Sequence, residues 1–270
     1  MSPDLGAGDV LARCKEEGRA ALIGYLPVGF PDVEGSIRAM VAMVECGVDI
    51  VEVGLPYSDP LMDGPVIQRA VEAALAGGSR VVDGYLATQA VRDAGAPPLV
   101  MASWNLILRR GVDRYAAELA AAGGAGIITP DLIPDEAQEW IAASEREGLD
   151  RVFLVAPSST PERLSRVTDA CRGFVYAAST MGVTGLRTTV DSAARDLVDR
   201  TRAVTDLPVC VGLGVSNGDQ AAEIAQYADG VIVGTAFVRA LSGDGELGAR
   251  LDALRELTTD LARGVREGAR

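Results

Sequence analysis

The sequence predicts an α/β protein of the (β/α)8 class, a single-domain TIM barrel spanning residues 1–270 with its site at the C-terminal ends of the strands. Three observations predict it. Eight short apolar runs alternate with longer amphipathic stretches along the whole chain, at a length that suits one such barrel. The runs are almost continuously apolar, as parallel strands covered on both faces must be. No Pro/Gly/Ser-rich linker divides them, and the turn after the first run, Pro27-Val28-Gly29-Phe30-Pro31, lacks the G-x-G-x-x-G fingerprint of the competing doubly wound sheet.

The first strand is read at Ala20–Leu26, and Val33–Glu45 follows as a helix, with apolar residues three and four apart after Asp32. The second strand is Asp49–Val53, followed by the helix Pro65–Ala76, which opens on proline, a residue suited to a first helical turn. Leu99–Ser103 and Gly126–Thr129 are strands three and four, with helices Val112–Ala122 and Asp135–Arg146 after them. Arg151–Val155, Gly173–Ala177, Pro208–Gly212 and Gly230–Val233 complete the eight, separated by the helical patterns Pro161–Ala170, Val190–Thr205 and Gly218–Tyr227. A long helix, Glu246–Arg263, closes the chain.

Composition narrows the chemistry. The chain has no histidine, which removes Ser-His-Asp and Cys-His triads, imidazole metal sites and histidine proton shuttles. Acid–base work near neutral pH must then come from carboxylates, Tyr, Lys or Cys in environments that shift their proton affinity. The net charge of −13 argues against nucleic acid and anionic membrane surfaces as partners, while leaving room for an anion held by backbone N–H groups. Cys14, Cys46, Cys171 and Cys210 form no C-x-x-C pair and read as small core residues in a reducing compartment. Neither a signal-peptide pattern nor an apolar run of bilayer length is visible, so a cytoplasmic protein without a metal is expected.

The segment after the second strand is the most informative. Glu52 lies inside an apolar run, where a carboxyl is costly unless it is paired or put to use, and burial would raise its proton affinity. Asp63 stands in a Gly/Pro-rich loop just before a helix, and can be read as a helix cap or as the second member of a catalytic carboxylate pair. Further on, Gly214 follows the seventh strand and Gly234-Thr235 the eighth, where barrel enzymes bind phosphate; alone, either turn could equally be a tight connection. Tyr176, at the end of the sixth strand, is either a core aromatic or a pocket wall.

The run Glu52-Val53-Gly54-Leu55-Pro56-Tyr57-Ser58-Asp59-Pro60-Leu61-Met62-Asp63-Gly64-Pro65-Val66-Ile67-Gln68 closely resembles the signature of the tryptophan synthase α chain family. The likeness extends to Tyr25, Gly29-Phe30-Pro31-Asp32, Trp104-Asn105, Pro130-Asp131-Leu132, Tyr176 with Gly182-Val183-Thr184-Gly185, and both C-terminal glycine turns. What the resemblance implies is retro-aldol cleavage of indole-3-glycerol phosphate to indole and glyceraldehyde 3-phosphate. Glu52 would be the acid–base group and Asp63 the acceptor of the indole N–H; Tyr176 would line the pocket and Thr184 would order a lid, Thr180–Thr189, against Asp63. Gly185, Gly214, Gly234 and Thr235 would hold the phosphate.

The resemblance further implies an α2β2 complex that passes indole to a pyridoxal-phosphate (PLP) β chain, with no PLP on this chain, whose one lysine is Lys15. Asp59, Pro60 and Pro134 would meet that partner. Departures from the common family pattern fall at Gly24, Pro27, Val28, Phe30, Ser103 and Thr180 and touch pocket detail and coupling, not the two carboxylates. A stand-alone lyase releasing free indole, and a silent barrel kept as an allosteric or scaffolding subunit, are the competing readings. A silent chain would be free to lose Glu52 or Asp63, and both are present.

Overall fold

Nine parallel strands form one sheet in the computed structural model: β1 (Ala21–Pro27), β2 (Ile50–Gly54), β3 (Pro98–Met101), β4 (Gly126–Ile128), β5 (Asp150–Val152), β6 (Leu154–Val155), β7 (Val175–Ala178), β8 (Val209–Gly212) and β9 (Gly230–Val233). Their order is β5-β4-β3-β2-β1-β9-β8-β7-β6. The two ends of this order are consecutive in the chain and parted only by Phe153, so β5 and β6 are halves of the fifth predicted strand and the sheet comes round as a barrel. The structure describes residues 6–59, 63–178, 187–212, 214–243 and 245–268, with 187–191 described by their backbone alone.

Twelve α-helices are described: α1 (Ala7–Glu16), α2 (Val33–Glu45), α3 (Pro65–Ala76), α4 (Val81–Ala94), α5 (Trp104–Arg110), α6 (Val112–Ala121), α7 (Gln138–Glu147), α8 (Pro161–Ala170), α9 (Arg187–Arg202), α10 (Gly218–Ala225), α11 (Thr235–Leu241) and α12 (Leu247–Glu267). All but α1 stand after the first strand, where the crossovers of a parallel barrel require them. The apolar period did not single out α1, α4, α5 or α11. In α4 the interior Gly84 weakens the pattern, yet Leu55 fills the space beside it. Helix α9 begins at Arg187, three residues ahead of the expected start, because Arg187, Thr188 and Thr189 offer no apolar spacing to read. The last part of the expected lid is therefore helix. The predicted Asp135–Arg146 helix is a 3₁₀ turn, Pro134–Glu136, followed by α7.

Side-chain alternation along the strands divides the interior in two. Leu22, Leu26, Val51, Val53 and Val100 face outward and pack beneath the helices in the larger cluster. Ala21, Ile23, Ile50, Leu99, Ile128, Val152, Phe174, Cys210 and Ile232 face the barrel axis. Helix α1 closes the N-terminal end by laying Ala7, Val10, Leu11 and Cys14 against that inner cluster. The Asp150 carboxylate, at the start of β5, accepts the Ala7 N–H at 2.9 Å and ties the plug down. With α1 packed over that end of the inner cluster, the C-terminal mouth is where a barrel of this kind places its chemistry.

Candidate functional site

Residues 50, 52 and 54 of β2 share the inward face, so Ile50 sits deepest, Glu52 above it and Gly54 at the rim. Glu52 pairs in register with Tyr25 of β1 and Leu99 of β3. It is 1% exposed, and among the described residues neither carboxylate oxygen has a hydrogen-bond partner. A carboxylate anion so placed would lack both water and donors, and burial accordingly pushes the Glu52 carboxyl up to about 8. The side chain therefore holds its proton at neutral pH, as a general acid must.

Two tyrosine hydroxyls lie near enough to feel its charge. An added Cβ on Gly54 would lie 2.5 Å from Tyr25 Cε2 and 2.7 Å from its hydroxyl, so the missing side chain makes room for that ring. On the other side of the barrel, a Cβ on Gly212 would meet the Tyr176 hydroxyl at 2.8 Å. Burial first, then the negative charge of neighbouring carboxylates, raises both phenols; Tyr25 feels Asp63 and then Glu52, and Tyr176 feels Glu52. Four of the expected or family-matched residues, Glu52, Asp63, Tyr25 and Tyr176, are thus brought to one mouth.

Asp63 is not the cap of α3. Gly64 occupies that position with Pro65 in the first turn, and the Asp63 backbone carbonyl accepts a hydrogen bond from Gln68 Nε2 at 2.6 Å. The Asp63 side chain is left half-buried, and burial raises its carboxyl above the usual range. The two carboxyls differ in setting: Glu52 is dry and enclosed, Asp63 partly wetted. Unequal settings are what divide acid and base roles between like groups.

The glycine turns stand beside this wall. Pairing of Gly212 with Ile232 sets the ends of β8 and β9 together. Gly214 adopts φ +63° and is exposed, and among the described residues nothing lies within 4 Å of where a Cβ would be, which leaves its backbone free of side-chain cover from them. Gly234 precedes α11, of which Thr235 is the first residue, and both are half-buried. A Cβ on Gly234 would lie 3.2 Å from Tyr25 Cδ1. One ring therefore touches both the carboxylate strand and the last glycine turn. Thr184 and Gly185 lie outside the described residues, as do Thr180 and Pro60.

The loops around the mouth are pinned to one another. Asp131, after β4, accepts hydrogen bonds from Ser103 Oγ at 2.7 Å and from the Trp104 N–H at 2.9 Å, which gives Ser103 its place where the family often has an aromatic. Asn105 Nδ2 donates to the Tyr57 hydroxyl at 3.0 Å, joining the first turn of α5 to the loop after β2. Asp59 is exposed. Pro134 is buried within this chain, whereas its neighbour Ile133 is 47% exposed and is the apolar group that reaches solvent. Tyr25 is the wall residue that sequence reasoning underplayed; its signal was the inward alternation Ala21, Ile23, Tyr25. Among the described residues no helix is long and apolar enough to cross a membrane.

The sequence model of the family described as tryptophan synthase alpha chain matches residues 11–265. The chain is 64% identical over 260 residues to the tryptophan synthase alpha chain of Mycobacterium marinum, covering 96% of this chain and 94% of the relative. To the tryptophan synthase alpha chain of Mycobacterium tuberculosis it is 62% identical over 261 residues, 97% of this chain and 94% of that one. Among solved structures it resembles tryptophan synthase of M. tuberculosis, with a TM-score of 0.90, 62% identity and coverage of 96% and 98% of the two chains. A mutant tryptophan synthase alpha-subunit from Pyrococcus furiosus is similar at a TM-score of 0.82 and 32% identity, over 90% of this chain and 98% of that one.

Proposed function

The chain belongs to the tryptophan synthase alpha chain family, and from that premise we propose that it cleaves indole-3-glycerol phosphate to indole and glyceraldehyde 3-phosphate as one barrel domain. The observation that carries the proposal is the enclosed Glu52 carboxyl, without a hydrogen-bond partner among the described residues, at the mouth that also holds Asp63, Tyr25 and Tyr176.

Cleavage of the carbon–carbon bond needs a proton at indole C3 and the loss of one from the glycerol hydroxyl. Glu52, protonated in its dry setting, gives its proton to C3. Positive charge then grows on the indole nitrogen, and the Asp63 carboxylate accepts the N–H and stabilises that charge. The Glu52 carboxylate so formed takes the hydroxyl proton as the bond breaks and the carbonyl of the aldehyde forms. One proton leaves Glu52 and one returns, so the enzyme ends each cycle as it began.

The phosphate would be held at the glycine turns of the same mouth. No described residue covers the backbone of Gly214, and the first N–H groups of α11 beside Gly234 and Thr235 are those a helix start leaves unsatisfied. Tyr176 would line the space between phosphate and indole. Thr184 and Gly185 are assigned to lid order and phosphate contact on family likeness alone.

We further propose that indole passes to a PLP-dependent β chain in an α2β2 complex in the cytoplasm. Lys15, the one lysine of the sequence, is exposed on α1 at the sealed end of the barrel, so the residues at the mouth do not suit a Schiff base and the cofactor belongs to the partner. Exposed Ile133 and Asp59, at loops on the open face, fit a partner docked over the mouth. Incubation of the purified chain with indole-3-glycerol phosphate, with and without a β chain, tests the reading. Slow release of indole that quickens with the β chain is expected. Absence of indole under both conditions overturns it, and brisk turnover by the chain alone would mark a stand-alone lyase.

A further inference from the structure

The proton cycle above leaves one step without a supporting group. Once Glu52 has given its proton to carbon, it is an anion in a cavity where its oxygens find no hydrogen-bond partner among the described residues. A bare buried anion would raise the energy of the intermediate unless a donor answers it. Among the described residues, the groups near Glu52 are few. Tyr25 comes from β1, Asp63 from the loop after β2, Tyr176 from β7 and Cys210 from β8, while β3 contributes Leu99, which has no polar atom. Asp63 is the wrong sign, and Cys210 is a weak donor whose own proton burial holds firmly.

That leaves two phenols. Tyr25 is Glu52's own register partner, and its ring tip rests in the place of a residue-54 side chain, one inward position above the carboxyl. Its charge environment is set by Asp63 and Glu52 together, whereas Tyr176 reaches across from the Gly212 side. Among the described residues, the Tyr25 hydroxyl is committed to no other hydrogen bond. We propose that Tyr25 is a positioning residue: its hydroxyl donates to the Glu52 carboxylate while that group is ionised, and its ring keeps water from it while it is protonated. The proposal rests on the acid–base reading of Glu52.

Two substitutions in the full-length chain, assayed with a β chain present, separate the hydroxyl from the ring. Tyr25→Phe keeps the ring and breaks no hydrogen bond among the described residues. It should lower kcat by ~10-fold with KM within about threefold, since a donor to a charged group is lost only after proton transfer. The ionised form of Glu52 being less supported, the alkaline limb of the kcat profile should move up by about one pH unit. Tyr25→Ala admits water and should move the same limb down. The carboxyl 13C signal of Glu52, assigned by its absence in Glu52→Gln, should titrate in the same two directions without reference to activity. Tyr85→Phe, which loses a hydroxyl bonded to Glu118 on the outer helices, should do neither.

Unchanged kcat and an unmoved Glu52 titration in Tyr25→Phe would overturn the proposal, as would a shift produced by Tyr176→Phe alone. Failure of the underlying reading has another mark, since Glu52→Gln would then turn over normally.

Discussion

The ring of Tyr25 stands in the space that a side chain on residue 54 would need, with its Cε2 and hydroxyl 2.5 and 2.7 Å from an added Cβ on Gly54. The residues lie on neighbouring strands, and Glu52 is two positions before Gly54 on the same inward face. A glycine in a strand normally weakens it, so its presence here has a packing reason. The cover over the acid is made by leaving out one side chain and filling the gap from next door.

Gly54→Ala tests that arrangement. The methyl group cannot be accepted unless the buried Tyr25 ring shifts, so the variant should lose about 1–3 kcal/mol of stability, measured by urea unfolding. Because the shifted ring uncovers Glu52, the alkaline limb of activity should also move toward lower pH. A variant as stable as wild type, with its profile in place, would mean that the ring does not occupy that gap in solution.

Glu52→Gln separates catalysis from stability. Amide for carboxyl keeps the size and removes proton transfer, so cleavage should fall by about a hundredfold or more while substrate affinity changes little. Near-wild-type turnover would exclude the acid–base role.

The same variant has a pH signature in unfolding. In the unfolded chain the carboxyl ionises near 4.5, and in the folded protein at about 8. Between those values the folded state holds the extra proton, so wild-type stability falls as pH rises through the window. Gln does not titrate. The stability difference, variant minus wild type, should therefore climb from pH 5 to pH 8 and level off above it. A difference that stays flat over that range would show that Glu52 is not kept dry.

Much of this was legible in the sequence, for identifiable reasons. The strands are nearly all-apolar runs bounded by polar turns, and a parallel barrel imposes that pattern on both faces of every strand. Glu52 stood out because it breaks such a run. Helices α5 and α11 were missed since each spans only seven residues, α1 because it stands ahead of the first strand and outside the βα alternation, and α4 because Gly84 interrupts it where Leu55 packs. The part played by Tyr25 could not be read from spacing, since it depends on which positions pair across strands. Register, set by the shear of the closed sheet, puts residue 25 beside 52.

Gly214→Ala addresses the phosphate rim. At φ +63° an alanine is strained by about 1 kcal/mol, and its methyl group would stand in the open space that a ligand oxygen is expected to use. KM for indole-3-glycerol phosphate should rise by ~10-fold with kcat nearly unchanged, the mark of lost ground-state binding. The dephosphorylated analogue should be handled equally by variant and wild type. If its KM rises by the same factor, the turn does not bind phosphate.

The sealed end of the barrel makes the opposite prediction. Asp150 accepts the Ala7 N–H from the first turn of α1, and its second oxygen lies 3.6 Å from Arg172 Nε. Asp150→Ala leaves that N–H without an acceptor at a buried site, and Arg172 without its counter-charge. The loss should be about 1–3 kcal/mol in global stability, as for a buried donor left unsatisfied. Because α1 is joined to the barrel by one chain connection, its amides should exchange with solvent sooner than those of the strands. Asp150→Asn, which keeps an acceptor oxygen, should restore most of the protection. The plug lies at the other end of the barrel from Glu52, and kcat for indole formation should stay within about twofold of wild type in both variants. Slowed cleavage in Asp150→Ala, with α1 still protected from exchange, would instead tie the plug to the chemistry at the mouth.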